Sequence, residues 1–199
     1  MKLEVRQAQE RDLPQIKRLI DDYISRDFYS IEELKGMIRG EDDLLCVAVD
    51  TDRDGLVVSY FYAFLSTLEE ALRILHVPGR PDALRKYTGN ERVGVYKTTS
   101  TDPEYRNRGI FTAFMADLQP VLRDRGAVMI INTALRPLGR DVPIVNVLHK
   151  TGFVPVEEVC SPWAETEGYC PYCKHNPCIC DAVLYIREFD ATEDMKDDE

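Results

Sequence analysis

Hydrophobic and polar residues alternate in some segments of this chain and follow a helical spacing in others. The alternation from Leu3 to Gln7 predicts a strand. Apolar residues three or four positions apart from Leu13 to Ile24 predict a helix, for which Asp12 can serve as the N-cap. The same criteria predict further helices at 30–38, 68–76, 82–87, 110–125 and 141–151, and further strands at 44–49, 56–66, 92–101, 128–133, 153–159 and 182–189.

The order of these elements predicts the fold class. Helices alternate with strands in the second half of the chain, whereas the middle of the chain reads as a meander. We therefore expect an α/β protein with a central mixed, mostly antiparallel sheet and helices on both faces. The apolar strand 128–133 is of the kind that is buried on both faces. Pro120 is expected to kink or restart the long helix that begins at Ile110.

Length and composition limit the domain organisation. The chain has 199 residues, of which 44% are hydrophobic and 30% charged. We expect one domain over 1–189, with an irregular insert at 67–90 and a cysteine-rich loop at 160–181. The segment 190–199 carries six acids and one lysine, which predicts a disordered acidic tail. The apolar stretches are too short for a membrane span and the first residues lack a secretion signal, so a cytoplasmic location is expected.

The charge of the chain narrows the range of partners. Its formal net charge of −10 argues against nucleic acid, because phosphate binding needs a basic stripe. An acidic field favours a cationic acceptor such as an amine. The sequence leaves the oligomeric state open, a homodimer included.

A loop with two arginines and a glycine lies between the strand 92–101 and the helix after it. Backbone N–H groups at a helix start point outward unpaired, and together with the helix dipole they favour a pyrophosphate. Gly109 allows the backbone to approach such a ligand closely, and Arg106 and Arg108 add positive charge. Both the P-loop pattern and the dinucleotide-binding glycine pattern are missing from the sequence, so the loop is a candidate anion site of another kind.

This loop carries a family resemblance. The segment 101–110, TDPEYRNRGI, resembles motif A of the Gcn5-related N-acetyltransferases (GNAT family), in which a strand and a Pro-Glu-Tyr turn precede Gln/Arg-x-x-Gly-x-Gly/Ala and a helix. Arg106 and Gly109 match this motif, whereas Phe111 replaces its last small residue and must point away from the phosphates. The segment 148–153, LHKTGF, resembles motif B of the same family in its Gly-Phe pair.

The resemblance implies the GNAT-like acyl-CoA N-acyltransferase fold, with acetyl-CoA as cosubstrate. It implies transfer of the acetyl group to a primary amine, of a small molecule or a protein, by direct attack. The pantetheine arm is then expected between two splayed strands, the one that ends at 99–101 and the strand 128–133. The cofactor-binding residues that the resemblance implies are Thr99, Ser100, Thr101, Arg106, Asn107, Arg108, Gly109, Ile110, Phe111 and Thr112.

Acid and base are less well defined by the sequence. The motif B tyrosine commonly serves as the acid, and Leu148 stands in its place. The neighbouring His149 is rotated by about 100° along the helix and is expected to face elsewhere. The candidates for the base are Glu91 and Tyr96, beside and on the central strand, and His76 in the insert.

Four of the six cysteines crowd into residues 170–180 with the spacing C-x2-C-x4-C-x-C. In a reducing compartment, thiolates at Cys170, Cys173, Cys178 and Cys180 predict a closed, structural zinc site. His175 could replace one cysteine. Free or redox-active thiols and an iron–sulfur cluster are the alternatives.

A second function remains open beside the enzyme. The departures at Phe111 and Leu148 also fit a non-catalytic module that binds CoA or another protein, with the zinc knuckle as its docking surface. In either case the insert 67–90 is expected to wall the acceptor side.

Overall fold

The computed structural model describes residues 2–166 and 168–189. Its strands are β1 (Leu3–Gln7), β2 (Asp43–Asp50), β3 (Leu56–Thr67), β4 (Arg92–Thr101), β5 (Met129–Arg136), β6 (Val154–Val159) and β7 (Asp181–Glu188). Its α-helices are α1 (Leu13–Tyr23), α2 (Ile31–Arg39), α3 (Leu68–Ile74), α4 (Ile110–Asp124) and α5 (Val145–Lys150). The predicted acidic tail 190–199 lies outside the described residues. Within them, every helix falls short of the length and apolarity needed to cross a bilayer.

The strands form one seven-stranded sheet in the order β1-β2-β3-β4-β5-β7-β6. All neighbouring pairs are antiparallel except β4 and β5, which run parallel and are connected through α4. The predicted mixed, mostly antiparallel sheet is therefore confirmed. The parallel pair lies in the middle of the sheet, where helices can cover it on both faces.

The faces of the sheet follow from the alternation of side chains along β4. Val93 and Val95 pack under α3, whereas Gly94 and Tyr96 face α4 on the other side. A Cβ atom on Gly94 would come within 2.8 Å of Leu122 in α4, so the glycine permits close packing of this helix. Helices α1 and α2 cover β2 and β3 on the same face as α3, and α5 lies on the face of α4.

Three local expectations differ from the structure. The helix predicted at 141–151 is shorter, because Pro143 disfavours a helical conformation of the residue before it. Helix α4 continues through Pro120 without a restart, since the carbonyl of Ala116 that loses its partner is exposed to water. Asp12 does not cap α1 with its side chain; the buried carboxylate accepts two hydrogen bonds from Arg6, of 2.6 and 2.9 Å.

Candidate functional site

Strands β4 and β5 separate halfway along their length. Their pairing ends at Tyr96 and Asn132; beyond this point β4 continues beside β3, and β5 continues beside β7. β4 also bulges at Lys97, which has no register partner on β3. The two strands therefore splay as the sequence resemblance implied.

A cavity of about 260 Å³ lies at this divergence. It is lined by the end of α1 and the loop after it, the residue after α3, the separated parts of β4 and β5, the residues before α5 and the cysteine-rich loop. The lining residues are 23–25, Phe28, Leu75, 97–99, 132–135, 143–144, Trp163, Thr166, 168–172 and Cys178. The cavity is thus lined by elements from both faces of the sheet. Lys97 is the one charged side chain among the described lining residues.

Lys97 is half-buried in the wall of this cavity. Its Nζ donates a hydrogen bond of 2.9 Å to the carbonyl of Ile74, at the end of α3. Burial lowers the pKa of its ammonium group to about 8. His76 lies nearby on the surface, and partial burial and the charge of Lys97 lower the pKa of its imidazole. A lysine with such a pKa can exist as a neutral amine near physiological pH and accept a proton.

Asn132 bridges the diverging strands. Its Nδ2 donates a hydrogen bond of 2.8 Å to the carbonyl of Tyr96. Its Oδ1 is buried and has no hydrogen-bond partner among the residues that the structure describes. Buried polar atoms are rarely left unpaired, so this oxygen calls for a partner.

The start of α4 is open for an anion. Gly109 is its N-cap, with a φ of 78°, and Asn107 also has a left-handed conformation. The first backbone bond of the helix runs from the N–H of Ala113 to the carbonyl of Gly109, which leaves the N–H groups of Ile110 and the next two residues without an intrahelical acceptor. A Cβ atom on Gly109 would meet no atom within 4 Å, so a ligand can approach the backbone there.

Both arginines of this loop are exposed and tied to its backbone. The Nε of Arg106 donates to the carbonyl of Thr101, and its guanidinium lies 5.5 Å from the ring centre of Tyr23. The guanidinium of Arg108 donates to the carbonyl of Glu104. These bonds place two positive charges beside the helix start, close to the end of β4. The loop predicted for phosphate binding therefore has the charge and the open N–H groups that such a ligand needs.

The other residues predicted for the cofactor lie at the end of β4 and in the first turn of α4. The Thr99 hydroxyl donates to the carbonyl of Tyr60, and the Ser59 hydroxyl donates to the carbonyl of Ser100. The Ser59 hydroxyl also shares a hydrogen bond of 2.8 Å with the Thr101 hydroxyl. These contacts hold the strand end in place, while Ile110 is buried and Thr112 is exposed on α4.

The two departures from the family motifs have clear structural roles. The ring of Phe111 packs 5.5 Å from the ring of Phe61 in the core, so it points away from the exposed start of α4, as expected. Leu148 is fully buried in the same core. His149 is exposed on α5 and faces Tyr185. None of these side chains lines the described cavity.

Neither Glu91 nor Tyr96 is brought to the cavity by its side chain. The Glu91 carboxylate accepts hydrogen bonds from the N–H groups of Thr88 and Gly89, which lower its pKa to about 2. It sits about 20 Å along β4 from the bulge, at 3.3 Å per residue. The Tyr96 ring is buried between Phe61 and Phe153 on the opposite face from Lys97. We therefore assign no catalytic role to the side chains of Glu91 and Tyr96.

Sequence reasoning missed Lys97 and Asn132. Each carried a signal, because a lysine interrupts the apolar strand VGVYKTTS and an asparagine interrupts MIINTA. Polar residues in strands buried on both faces are uncommon and call for a partner or a function.

The four clustered cysteines come together as predicted. The sulfurs of Cys170, Cys173, Cys178 and Cys180 all lie within 4.8 Å of one another, and none is in a disulfide. Tetrahedral zinc with Zn–S bonds of about 2.3 Å puts its sulfurs about 3.8 Å apart. The Sγ atoms of Cys173 and Cys178 are 3.9 Å apart. His175 is exposed and outside this group.

Backbone groups around the cluster stabilise a thiolate. Burial raises the pKa of Cys173, but hydrogen bonds from the N–H groups of Ile179 and His175 and from neighbouring sulfurs lower it to about 6. Burial raises the pKa of Cys180 to about 11. Four cysteine sulfurs held this close together are a ligand set that tetrahedral zinc takes.

Comparisons with known proteins agree on the fold. No protein-family model and no curated protein sequence matches the chain. Similar solved structures include NAA60 of Arabidopsis thaliana in complex with a bisubstrate analogue (TM-score 0.70, 16% identity, 95% of this chain and 100% of that chain). NAA60 was also solved with acetyl-CoA. Naa20 of Chaetomium thermophilum with a bisubstrate analogue gives a TM-score of 0.67 at 14% identity, over 97% of this chain and 90% of that chain.

A third similar structure connects the fold to the family that the motifs indicated. The GCN5-related N-acetyltransferase from Kribbella flavida superposes with a TM-score of 0.58 at 18% identity, over 94% of this chain and 98% of that chain. The splayed strands, the open start of α4 and these similarities agree with one another. The chain has the fold of the GNAT N-acetyltransferases.

Proposed function

We propose that this protein is an N-acetyltransferase that transfers the acetyl group of acetyl-CoA to a primary amine by direct attack. The observation that carries the proposal is the divergence of β4 and β5 after Tyr96 and Asn132, which opens a cavity next to an anion-binding helix start. The complex of the similar Arabidopsis NAA60 with acetyl-CoA supports the choice of cosubstrate.

The helix start holds the pyrophosphate in this proposal. The N–H groups from Asn107 to Thr112 and the charges of Arg106 and Arg108 bind it, and the pantetheine arm passes between the separated strands. Main-chain groups at 99–101 pair with the pantetheine arm. One N–H at the strand end faces the thioester oxygen and stabilises the negative charge that develops there.

The amine approaches from the face of α1 and α3. Leu75, at the end of α3, lines the cavity, which supports the expectation that the insert 67–90 walls the acceptor side. Lys97, in its neutral form, takes a proton from the incoming ammonium. The amine nitrogen then attacks the thioester carbon and the C–S bond breaks. The nitrogen, which is positively charged after the attack, releases its second proton to water, and the CoA thiolate leaves and takes a proton from water. A thiol pKa near 8.5 makes this thiolate an adequate leaving group without a tyrosine at Leu148.

A structural zinc ion at Cys170, Cys173, Cys178 and Cys180 belongs to the same proposal. The distances between the sulfurs support it. Four thiolates fill a tetrahedral site and leave no open position, so the role of the metal is to hold the loop.

Acetyl transfer itself tests the proposal. Acetyl-CoA binding is measured by calorimetry, and release of CoA together with the acetylated product is followed by chromatography over a panel of small amines and peptides. We expect binding and turnover of at least one amine class. Lys97→Met should lower kcat by at least tenfold without a loss of acetyl-CoA affinity. Binding without turnover of any amine would instead support a non-catalytic module.

A further inference from the structure

The cysteine cluster adjoins the cavity between the splayed strands. Cys170 and Cys178 belong to the set of four sulfurs and also line the cavity. Trp163 packs against the cluster with its half-buried ring and lines the same cavity, as does Leu135 at the end of β5. The candidate metal centre and the cavity therefore share a wall, which the sequence did not indicate.

This wall is aromatic and carries no acid among the described residues. Trp163, Tyr169 and Tyr172 come from the cysteine-rich loop, and Tyr23, the last residue of α1, and Phe28 also line the cavity. Among the side chains of Asp, Glu, Lys and Arg, only Lys97 belongs to the part of the lining that the structure describes. An aromatic pocket of this kind favours an apolar group.

The loop has little to hold it except the sulfurs. Tyr169 and Tyr172 are about half exposed and Ile179 is 38% exposed, whereas Cys170, Cys178 and Cys180 are buried. The cluster of sulfurs, with Trp163 and Leu135, is thus the core of the loop. A segment with so little apolar contact of its own depends on its metal for folding.

We propose that the metal-held loop is the specificity wall of the acceptor site, and that it selects a primary amine that carries a large apolar side group. The inference rests on the proposed function and on the zinc site. Its consequence is that metal occupancy controls the binding of the amine. Binding of acetyl-CoA is independent of the metal, because the phosphate loop is held by Thr101 and by the Tyr105–Asp50 hydrogen bond.

Trp163 supplies a readout that does not require turnover, since it is the only tryptophan in the chain. Zinc is removed from the purified protein with a chelator and added back, while Trp163 fluorescence and acetyl-CoA affinity are measured. We expect a red shift of the emission on removal, reversal on addition of zinc, and acetyl-CoA affinity unchanged within twofold. Cys180→Ser should reproduce the shift. Cys160→Ser is the matched control, because Cys160 is exposed in the same loop and outside the cluster.

Acceptor selection is tested with pairs of probes that differ in one side group. Leucinamide and phenylalaninamide are compared with glutamine α-amide, and tetrapeptides that begin with Leu or Phe are compared with one that begins with Gln. We expect kcat/KM at least tenfold higher for the apolar member of each pair, and at least a tenfold rise in its KM after zinc removal. If amides and peptides show the same preference, a small primary amine is a sufficient acceptor. If only peptides are acetylated, the acceptor is a peptide N-terminus.

Two variants locate the selection on the loop. Tyr172→Ala changes an exposed side chain and should raise the KM of the apolar amines at least threefold without a change in Tm. Trp163→Phe should keep the apolar preference and Trp163→Ala should lose it. Equal rates for apolar and neutral polar probes, or an unchanged KM in metal-free protein, would overturn the inference. If no amine is acetylated, the proposed function fails. The fluorescence response to zinc and its quenching by apolar amines in the presence of CoA then still decide whether the metal shapes the wall.

Discussion

The Nδ2 of Asn132 donates a 2.8 Å hydrogen bond to the carbonyl of Tyr96 at the point where β4 and β5 stop pairing. The side chain thus takes the place of the next backbone bond in the ladder. It closes the paired part of the two strands and leaves its own buried Oδ1 without a partner within the described part of the chain. The point of divergence therefore depends on a side chain as well as on the backbone.

Loss of this bridge should destabilise the fold and weaken cosubstrate binding. Asn132→Leu leaves the Tyr96 carbonyl buried without a donor, which costs about 1–3 kcal/mol of unfolding free energy. We also expect at least a fivefold loss of acetyl-CoA affinity by calorimetry, because the free Oδ1 is removed. Thr133→Val is the control, since its hydroxyl makes only a 3.4 Å contact with the Leu75 carbonyl, and it should cost less in urea unfolding. Equal costs for the two variants would argue against the bridge.

A negative charge at the start of α4 should abolish binding of acetyl-CoA. Gly109→Glu places a carboxylate where the pyrophosphate is proposed to bind, and we expect the affinity measured by calorimetry to fall by at least a hundredfold. Gly79→Glu is the matched control, because Gly79 has a φ of 73° and open space around its Cβ position, as Gly109 does. The control should lose the same small amount of stability and none of the affinity. Unchanged affinity in Gly109→Glu would remove the site assignment.

Phe111 should matter for stability and not for cosubstrate binding. Phe111→Ala removes a partly buried ring that packs on Phe61, and we expect a loss of about 2 kcal/mol in urea unfolding. Acetyl-CoA affinity should stay within threefold, because the ring points away from the exposed N–H groups. A gain of more than tenfold in affinity would show that the ring obstructs the phosphates.

The burial of Lys97 should make stability depend on alkaline pH. Lys97 titrates at its ordinary pKa of 10.5 in the unfolded chain, whereas burial lowers the pKa to about 8 in the fold. Between these values the unfolded state binds more protons, so the unfolding free energy of the wild type rises with pH by about 1.4 kcal/mol per unit. Lys97→Met lacks this dependence. His76, the neighbouring imidazole, has its pKa lowered and so titrates below this range.

The measurement compares urea unfolding of the two proteins at pH 7, 8, 9 and 10. Above pH 8, the unfolding free energy of the wild type should rise relative to that of Lys97→Met. Below pH 7, the difference between the two proteins should not change with pH. Parallel curves over the whole range would mean that Lys97 is not buried as a charged group.

Purified protein should contain about one zinc ion per chain without added metal. Elemental analysis gives the content, and a thiol reagent reports accessibility. Cys160 should react quickly in the native protein, whereas four thiols become reactive only on addition of a chelator. A clearly lower zinc content, with all four clustered thiols reactive in the native state, would exclude the site. The Cys160→Ser protein should retain its zinc.

Local patterns were sufficient to predict most of the fold. The helix predicted at 30–38 forms as α2 with Ser30 as its N-cap, and the glycines Gly109 and Gly126 lie directly before and shortly after α4. Elements whose ends depend on tertiary contacts were predicted less well. The region before α5 is an example. The sequence predicted a helix there, but the segment is irregular and Val142 is buried in the core.

The sequence by itself determined the alternation of strands and helices, the phosphate loop around Gly109 and the set of four cysteines, since each is written in the spacing of neighbouring residues. Only the tertiary structure decided what lines the cavity. Lys97 and Asn132 are 35 positions apart in the chain and meet because β4 and β5 pair and then diverge. Trp163 reaches the same cavity because the sulfur cluster anchors the loop between β6 and β7 beside the end of β5. Contacts between distant segments depend on the packing of the whole sheet, and no local pattern in the sequence records them.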